Sequence, residues 1–401
     1  MDAARAMPDR APMLDVILKP ERDRSVRRRH PWVLSGAVER VEGASEPGAW
    51  ARVVAAGGET LGFGHWSPVS QIRVRMLRLG ETAPGDDWIA ERIAAAVARR
   101  AGDPLLGDTD AVRLVNAEGD GLPGLVVDRY ADLLVVRIST AGMHVRSKLV
   151  ADALRRETGA AVAIERPDAA AARREGIAVQ QGVLWGEPPA APVEIRERER
   201  RYRVDVSAGQ KTGFYLDQRD SRDLVQQLAR GRRVLDLFSY TGGFAVAAAH
   251  GGAASIALVE SSAEALAAAE QHLAPWHDTL PLRFARDDAF RFVRQDDHGY
   301  DLLVVDPPPL ARRASDVAQA SRAYKDVLLH ALRRAAPGAY LLAFSCSHHV
   351  GPELFRKIAF GASLDAGRPL QVLRALGAPA DHPVALDHPE GHYLSGLLLR
   401  A

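Results

Sequence analysis

Five residues that carry an acid or a thiol, Asp236, Glu260, Asp288, Asp306 and Cys346, stand at or just past the ends of apolar, strand-like runs. The carboxyl ends of strands are where α/β proteins bind ligands and hold reactive groups. Asp236 leads into Leu237-Phe238-Ser239-Tyr240-Thr241-Gly242-Gly243-Phe244, an acid followed by a two-glycine turn and a helical pattern. Such glycines let the backbone pass close beneath a ligand where a Cβ would intrude. The run is not G-x-G-x-x-G, so the usual seat of a dinucleotide pyrophosphate is missing. An acid able to receive an ammonium above a glycine turn suits S-adenosylmethionine better. Glu260, 24 residues after Asp236, is placed to accept both ribose hydroxyls, and Asp288, beyond the third strand, could take the adenine amino group. Any one of these acids could equally be a helix N-cap. Three in order on consecutive strands point to a cofactor cleft.

The second cluster follows the fourth and fifth strands. Asp306-Pro307-Pro308-Pro309 is an acid followed by three prolines, which fix φ and remove N–H donors, leaving a stiff loop with exposed carbonyls. A planar ring could stack there with Asp306 at its polar edge; a structural turn is the bland alternative. The fifth strand ends in Phe344-Ser345-Cys346-Ser347 and delivers the only cysteine of 401 residues beside that loop. A lone cysteine is by default a small buried hydrophobe, and position alone argues for more here.

The elements that must hold these groups alternate. Strands are expected at 233–237, 255–260, 282–286, 301–306, 339–344, 371–376 and 393–399, with helices such as 263–273 and 315–336 between them, which specifies a doubly wound, mostly parallel sheet. Before it, 194–207 reads as a charged hairpin. Residues 1–12 read as a disordered leader. Short β-type runs at 14–18, 52–55 and 72–77 suggest a small β-rich module. A helix at 86–101, strands at 112–117, 124–128, 133–138 and 161–165, and an amphipathic helix at 145–158 suggest a middle α+β domain. The domains expected are 13–82, 83–190 and 191–401.

Composition narrows the class. No apolar run approaches the ~20 residues of a membrane span, and one cysteine cannot form an internal disulfide, which fits a reducing cytoplasm. Thirteen histidines show no metal-ligand spacing, so no metal is expected. Net charge is +1, but residues 1–80 hold thirteen Arg/Lys against nine Asp/Glu. Arg27, Arg28 and Arg29 lie in that excess as a phosphate-contacting stripe or an ordinary solvated surface. Lysine is rare in this arginine-rich chain. Lys211 and, less directly, Lys325 are therefore candidates for point-charge pairing with a carboxylate or phosphate, with a solvated lysine as the other reading.

The stretch Gly209-Gln210-Lys211-Thr212-Gly213-Phe214-Tyr215-Leu216-Asp217-Gln218-Arg219, together with the turn after Asp236, resembles the RlmI-type 23S ribosomal RNA 5-methylcytosine methyltransferases. So do Asp306-Pro307-Pro308, Arg322-Ala323-Tyr324-Lys325-Asp326, Phe344-Ser345-Cys346-Ser347 and Asp381-His382-Pro383…Pro389-Glu390-Gly391. Arg29-His30-Pro31-Trp32 is similar to the start of the family's PUA domain, and Glu118-Gly119-Asp120-Gly121 to a turn in its middle domain. The resemblance covers nearly the whole chain. It implies a PUA module, a central α+β domain and a class I, Rossmann-like methyltransferase domain. It implies 23S rRNA as partner, naked or partly assembled, and leaves open whether two copies associate.

The resemblance also implies a mechanism in which Cys346 adds to cytosine C6, Asp306 holds the N3 edge, and the base is flipped out of its stack. The cofactor would lie on Asp236, Phe238, Tyr240, Thr241, Gly242, Gly243, Glu260, Asp288, Asp306 and Pro307, with Lys211, Pro308, Lys325 and Arg27–Arg29 toward RNA. Two departures stand out. Pro309 replaces the family's lysine after Asp-Pro-Pro, and there is no second cysteine to help release product. Two other readings stay open: methylation of another base atom, guanine N7 or an exocyclic amine, which needs no thiol, and a non-catalytic RNA-binding ribosome-assembly protein.

Overall fold

The structure is a computed structural model that describes residues 13–85, 87–178, 182–207 and 212–401. The 1–12 leader and Lys211 lie outside the described residues. The backbone forms two compact units, each gathered from separate stretches: 1–193, 205–214 and 381–391 in one, and 194–204, 215–380 and 392–401 in the other. Among the described residues no helix is long and apolar enough to cross a membrane.

The first unit holds two sheets. Six strands pair in the order Trp32–Leu34, Ile72–Leu79, Thr60–Trp66, Trp50–Val54, Leu14–Leu18 and Val38–Glu42. Every second residue of Leu14–Leu18 points into a core shared with Val33, Val53 and Val74, the period-two burial a half-covered sheet requires. Five further strands pair as Gly182–Trp185, Val162–Glu165, Leu133–Ile138, Leu125–Tyr130 and Ala111–Asn116, packed with helices Trp88–Arg100 and Ser147–Thr158. The helix expected over 145–158 forms over Ser147–Thr158, and Ala141–His144 makes a separate turn before it. Arg146 leaves the helical region because its guanidinium reaches back to the Gly48 carbonyl (2.7 Å) and lies over the Trp50 ring.

Two of the motifs noted in the sequence meet in this unit. Asp381 accepts the Arg113 amide (3.0 Å) and its carbonyl accepts from Arg100 (3.0 Å), while Asn116 donates to the Pro383 carbonyl (3.0 Å). A Cβ at Gly119 would stand 2.0 Å from that same carbonyl, so the glycine is required by the approach of the tail.

The second unit is built on seven strands: Arg233–Leu237 (β1), Ser255–Glu260 (β2), Leu282–Arg286 (β3), Tyr300–Val305 (β4), Ala335–Ser345 (β5), Gln371–Leu376 (β6) and Ser395–Arg400 (β7). They lie in the order β3-β2-β1-β4-β5-β7-β6, parallel except for β7. Helices Arg219–Leu228 (α1), Gly243–His250 (α2), Ala263–Leu273 (α3), Ala289–Gln295 (α4), Val317–Arg334 (α5) and Pro352–Ala366 (α6) join or flank them. Leu235, Leu237, Leu303, Val305, Leu341 and Ala343 face one side of the sheet, in a core with Phe292, Val327, Leu328 and Phe355. Asp236, between two of them, therefore faces the other side.

Candidate active site

Register decides which groups can meet. Leu237 of β1 pairs with Val305 of β4, which pairs with Ala343 of β5. The carboxyl ends of these three strands therefore lie side by side at the point where strand order reverses, the crevice in which open α/β sheets bind ligands. Phe238, Asp306 and Cys346 follow directly.

Asp236 is 0% exposed, and neither carboxylate oxygen has a hydrogen-bond partner. Burial raises its carboxyl well above the usual carboxylate range, the Asp306 and Glu260 charges add to this, and the Ala245 amide, short of hydrogen-bond geometry, only tempers it. A buried acid without donors is costly unless something arrives to pair with it. The Ser239 hydroxyl, also buried, lacks a partner as well. Phe238 (φ 63°) and Tyr240 (φ 48°) both hold the left-handed region, at about 1–3 kcal/mol each, strain typical of a ligand-shaped turn. These observations fit a cofactor that brings a cation and a hydrogen-bonding sugar.

Gly242 has a packing role of its own. At Gly242 (φ +77°) a Cβ would meet Ala269 of α3 at 2.9 Å, so close packing of α3 and the left-handed backbone both call for glycine here. Thr241 offers its carbonyl to His272 Nδ1 (2.8 Å), whose Nε2 accepts the Arg203 amide (2.8 Å); this fixes a neutral tautomer. Glu260 accepts the Tyr240 amide (2.9 Å), the Ser262 amide (2.8 Å) and the Ser261 hydroxyl (3.1 Å), bracing the turn and using three of its roughly four acceptor positions. Asp288 is exposed and caps α4 by accepting the Arg291 amide (2.9 Å). Phe244 stacks on Phe344 and Phe238 meets Phe290 edge-on, both as packing.

Cys346 Sγ sits 3.6 Å from the Pro307 carbonyl and is partly exposed, not sealed in hydrocarbon. A three-residue clamp sets its direction. Ser345 and Ser347, buried on either side, turn inward to the Tyr324 hydroxyl of α5 (3.1 and 3.0 Å), so Cys346 must turn the other way. Ser347 Oγ also accepts the Leu310 and Ala311 amides (3.1 Å each), tying the proline loop to the cysteine loop.

Residues to which the sequence reading gave no role complete the site. The Gln218 side-chain amide donates to Asp306 Oδ2 (2.9 Å). Tyr215 packs edge-on against Tyr240 (5.3 Å). Burial raises the Tyr215 hydroxyl pKa, and the charges of Asp306, Asp217, Tyr240 and Cys346 add to it. The Tyr215 carbonyl accepts from Arg222 (2.9 Å), and Arg222 is held by wholly buried Glu197 of the hairpin Val193–Glu197/Arg200–Val204 (2.8 Å). Tyr393 donates to Asp217 (2.7 Å).

Lys325 does not join this group. It pairs with Asp365 of α6 (2.7 Å), its stem against Gly361, which realises the bland reading of a helix-surface lysine. In the first unit Arg27 is held by Asp23 (2.7 Å) and Glu59, whereas Arg28 and Arg29 are exposed.

A seven-stranded sheet of this order, with an orphaned acid after β1 and an acid-proline loop after β4, defines a class I methyl-transfer fold. A family model of S-adenosylmethionine-dependent methyltransferases matches residues 171–385, and a PUA-like domain model matches 16–79. A relative from Aeromonas salmonicida called ribosomal RNA large subunit methyltransferase I is 41% identical over 95% of this chain and 97% of its own. A relative of the same name from Shewanella denitrificans is 42% identical over 96% and 98%. The crystal structure of SMU.776 with SAH has the same fold, with a TM-score of 0.84 at 20% identity over 96% of this chain and all of that one. The chain belongs to the S-adenosylmethionine-dependent methyltransferase family, among the relatives that carry an N-terminal PUA-like domain.

Proposed function

We propose that this enzyme methylates carbon 5 of a cytosine in large-subunit ribosomal RNA through a covalent adduct on Cys346. One observation carries the reading: a partly exposed thiol, turned away from its own clamp, lies 3.6 Å from the loop that begins at Asp306. That loop shares the strand ends with the orphaned acid Asp236. The names of the relatives support the choice of RNA.

S-adenosylmethionine supplies an electrophilic methyl group. Asp236 would pair with its ammonium, Glu260 and Asp288 would hold its sugar and base, and Phe238 through Gly243 would shape the turn beneath. Cytosine C5 is a poor nucleophile until sulfur adds at C6. In the chemistry we assign, the Cys346 thiolate forms the S–C6 bond, ring electrons move toward N3, and N3 takes a proton from Asp306. C5 then takes the methyl group. Water takes the C5 proton, the C–H pair restores the C5–C6 double bond, the S–C6 pair returns to sulfur, and the N3 proton returns to Asp306. Pro307 and Pro308 offer a rigid surface for the flipped ring, and single-stranded RNA makes flipping cheapest. Arg28 and Arg29 belong to RNA docking; Arg27 contributes less because two carboxylates already hold it.

The test is to treat deproteinised rRNA with enzyme and labelled donor and identify the methylated nucleoside by mass spectrometry. The expected product is 5-methylcytidine. Cys346→Ala should abolish it while donor binding persists. Retained activity in that variant, or label on guanine or an exocyclic amine, would replace this reading with non-covalent methylation.

A further inference from the structure

Gln218 is 2% exposed and stands at the start of α1. Its Nε2 donates to Asp306 Oδ2 at 2.9 Å. A carboxylate oxygen accepts, so the nitrogen branch of the amide must face Asp306, and the oxygen branch is fixed by exclusion. That oxygen, Oε1, is buried and has no hydrogen-bond partner among the described residues. Buried side-chain acceptors are rarely left unpaired, and one that is, beside a reactive loop, is a candidate to receive a donor from a ligand.

The position of the amide identifies the donor it awaits. Asp306 opens the loop whose Pro307 carbonyl lies 3.6 Å from Cys346 Sγ. The buried ion pair of Glu197 with Arg222 anchors α1, and Arg222 also holds the Tyr215 carbonyl, so Gln218 sits on a fixed support rather than a mobile loop. The site thus presents the Asp306 carboxyl, whose Oδ2 accepts from Gln218 and whose other oxygen can carry the proton for N3, beside an amide oxygen that can only accept. A cytosine whose N3 edge meets Asp306 carries its exocyclic amine, an N–H donor, next to that edge. Uracil carries a carbonyl oxygen there, which would face the Gln218 oxygen lone pair to lone pair.

We propose that Gln218 is the specificity-determining residue for the target base, its Oε1 accepting the 4-amino group of cytosine and rejecting the 4-oxo group of uracil. The proposal rests on the cytosine reading above and adds the residue that enforces it. A ligand ammonium is the other N–H donor such an oxygen could serve, so the test has an arm for each source.

The first arm needs no variant. Once the methylated position is located with wild-type enzyme, transcripts are made with cytidine or uridine there. If the wild-type product is not 5-methylcytidine, the functional reading fails before Gln218 is examined. If it is, wild type should prefer cytidine by about 1,000-fold or more in kcat/KM, as sites built around one hydrogen bond do. Equal use of uridine overturns the proposal.

The second arm compares Gln218→Leu with wild type. The cytidine-to-uridine ratio should fall about 100-fold, while S-adenosylhomocysteine binds within about threefold of wild type. A weakened cofactor with an unchanged base ratio would assign the oxygen to the ammonium and overturn the proposal, as would no change in either. Should the leucine variant lack a cooperative melt, Gln218→Met, unbranched and of similar length, carries the same expectations.

Discussion

Removing one hydroxyl, by Ser347→Ala, should release the loop that carries Asp306 while leaving the acids of β1 and β2 untouched. Ser347 Oγ accepts the Leu310 and Ala311 amides at 3.1 Å each, which uses both lone pairs, so its own proton goes to the Tyr324 hydroxyl 3.0 Å away. All three bonds are lost at a position 2% exposed. A buried polar group left unpaired costs about 1–3 kcal/mol. Leu310 is only half-buried and can turn to water, and Tyr324 keeps Ser345, so the cost is the stranded buried Ala311 amide plus one lost hydroxyl bond, about 2–3 kcal/mol. For a unit of this size that lowers the melting temperature by roughly 4–10 °C. A loop displaced by about 1 Å relative to Cys346 should slow methyl transfer about 100-fold. Calorimetry should find S-adenosylhomocysteine binding nearly unchanged, and Ser347→Thr, which keeps the hydroxyl, should restore most of the rate. Stability within about 0.5 kcal/mol of wild type together with an undiminished single-turnover rate would refute the clamp and leave the loop held by its prolines alone.

Asp236 predicts a pH signature of the cofactor-free enzyme. Its folded pKa is raised, chiefly by burial, so the folded state keeps a proton that the unfolded chain releases. Stability should therefore fall as pH climbs from about 3.9 toward the folded pKa and level off above it. Asp236→Asn should flatten that slope in thermal melts, raise the apo melting temperature at neutral pH, and weaken S-adenosylhomocysteine binding about 10–100-fold; an unchanged slope would count against the orphaned acid. Burial would raise the Glu197 pKa, but Arg222, Arg200 and Arg219 bring it below normal, so its contribution is present at neutral pH and lost as pH falls through the folded value. Glu197→Ala, which strands buried guanidiniums, should cost about 3–5 kcal/mol in denaturant unfolding; an unmoved midpoint would contradict this. In RNA binding, Arg28→Ala and Arg29→Ala should each reduce the slope of log K against log salt by about 0.7, and Arg27→Ala by much less. An equal effect of all three would mean that Asp23 and Glu59 let go of Arg27 on binding.

The strands were the most legible part of this fold, for a reason visible in their bounds. β1, β2, β3 and β6 begin and end where the apolar runs do, because each run is cut off by a turn, an acid or a charged segment. Helix α1 was hidden by the opposite circumstance. Its buried face is Arg219, Ser221, Arg222, Leu224 and Val225, largely an ion network rather than an apolar stripe, so hydrophobic periodicity carried little signal. Lys325 misled because rarity in a composition says nothing about direction, and a carboxylate on the neighbouring helix claims it. Gln218 and the meeting of Pro383 with Gly119 were illegible in principle: one is a neutral amide without a spacing signature, the other a contact between residues 264 positions apart.

The direction of the cysteine was legible, although only its position was used. Ser345, Cys346 and Ser347 continue an extended strand, where alternate side chains point to opposite sides. Two serines flanking one thiol, beyond a strand whose preceding residues are buried, already imply that both hydroxyls share a side and the sulfur takes the other. What the sequence lacked was the receiver. Tyr324 comes from a helix more than twenty residues upstream, and only its phenol between the two serines turns an alternation into a constraint. The thiol therefore owes its orientation to groups on the far side of the strand, which never touch the substrate in the proposed reaction.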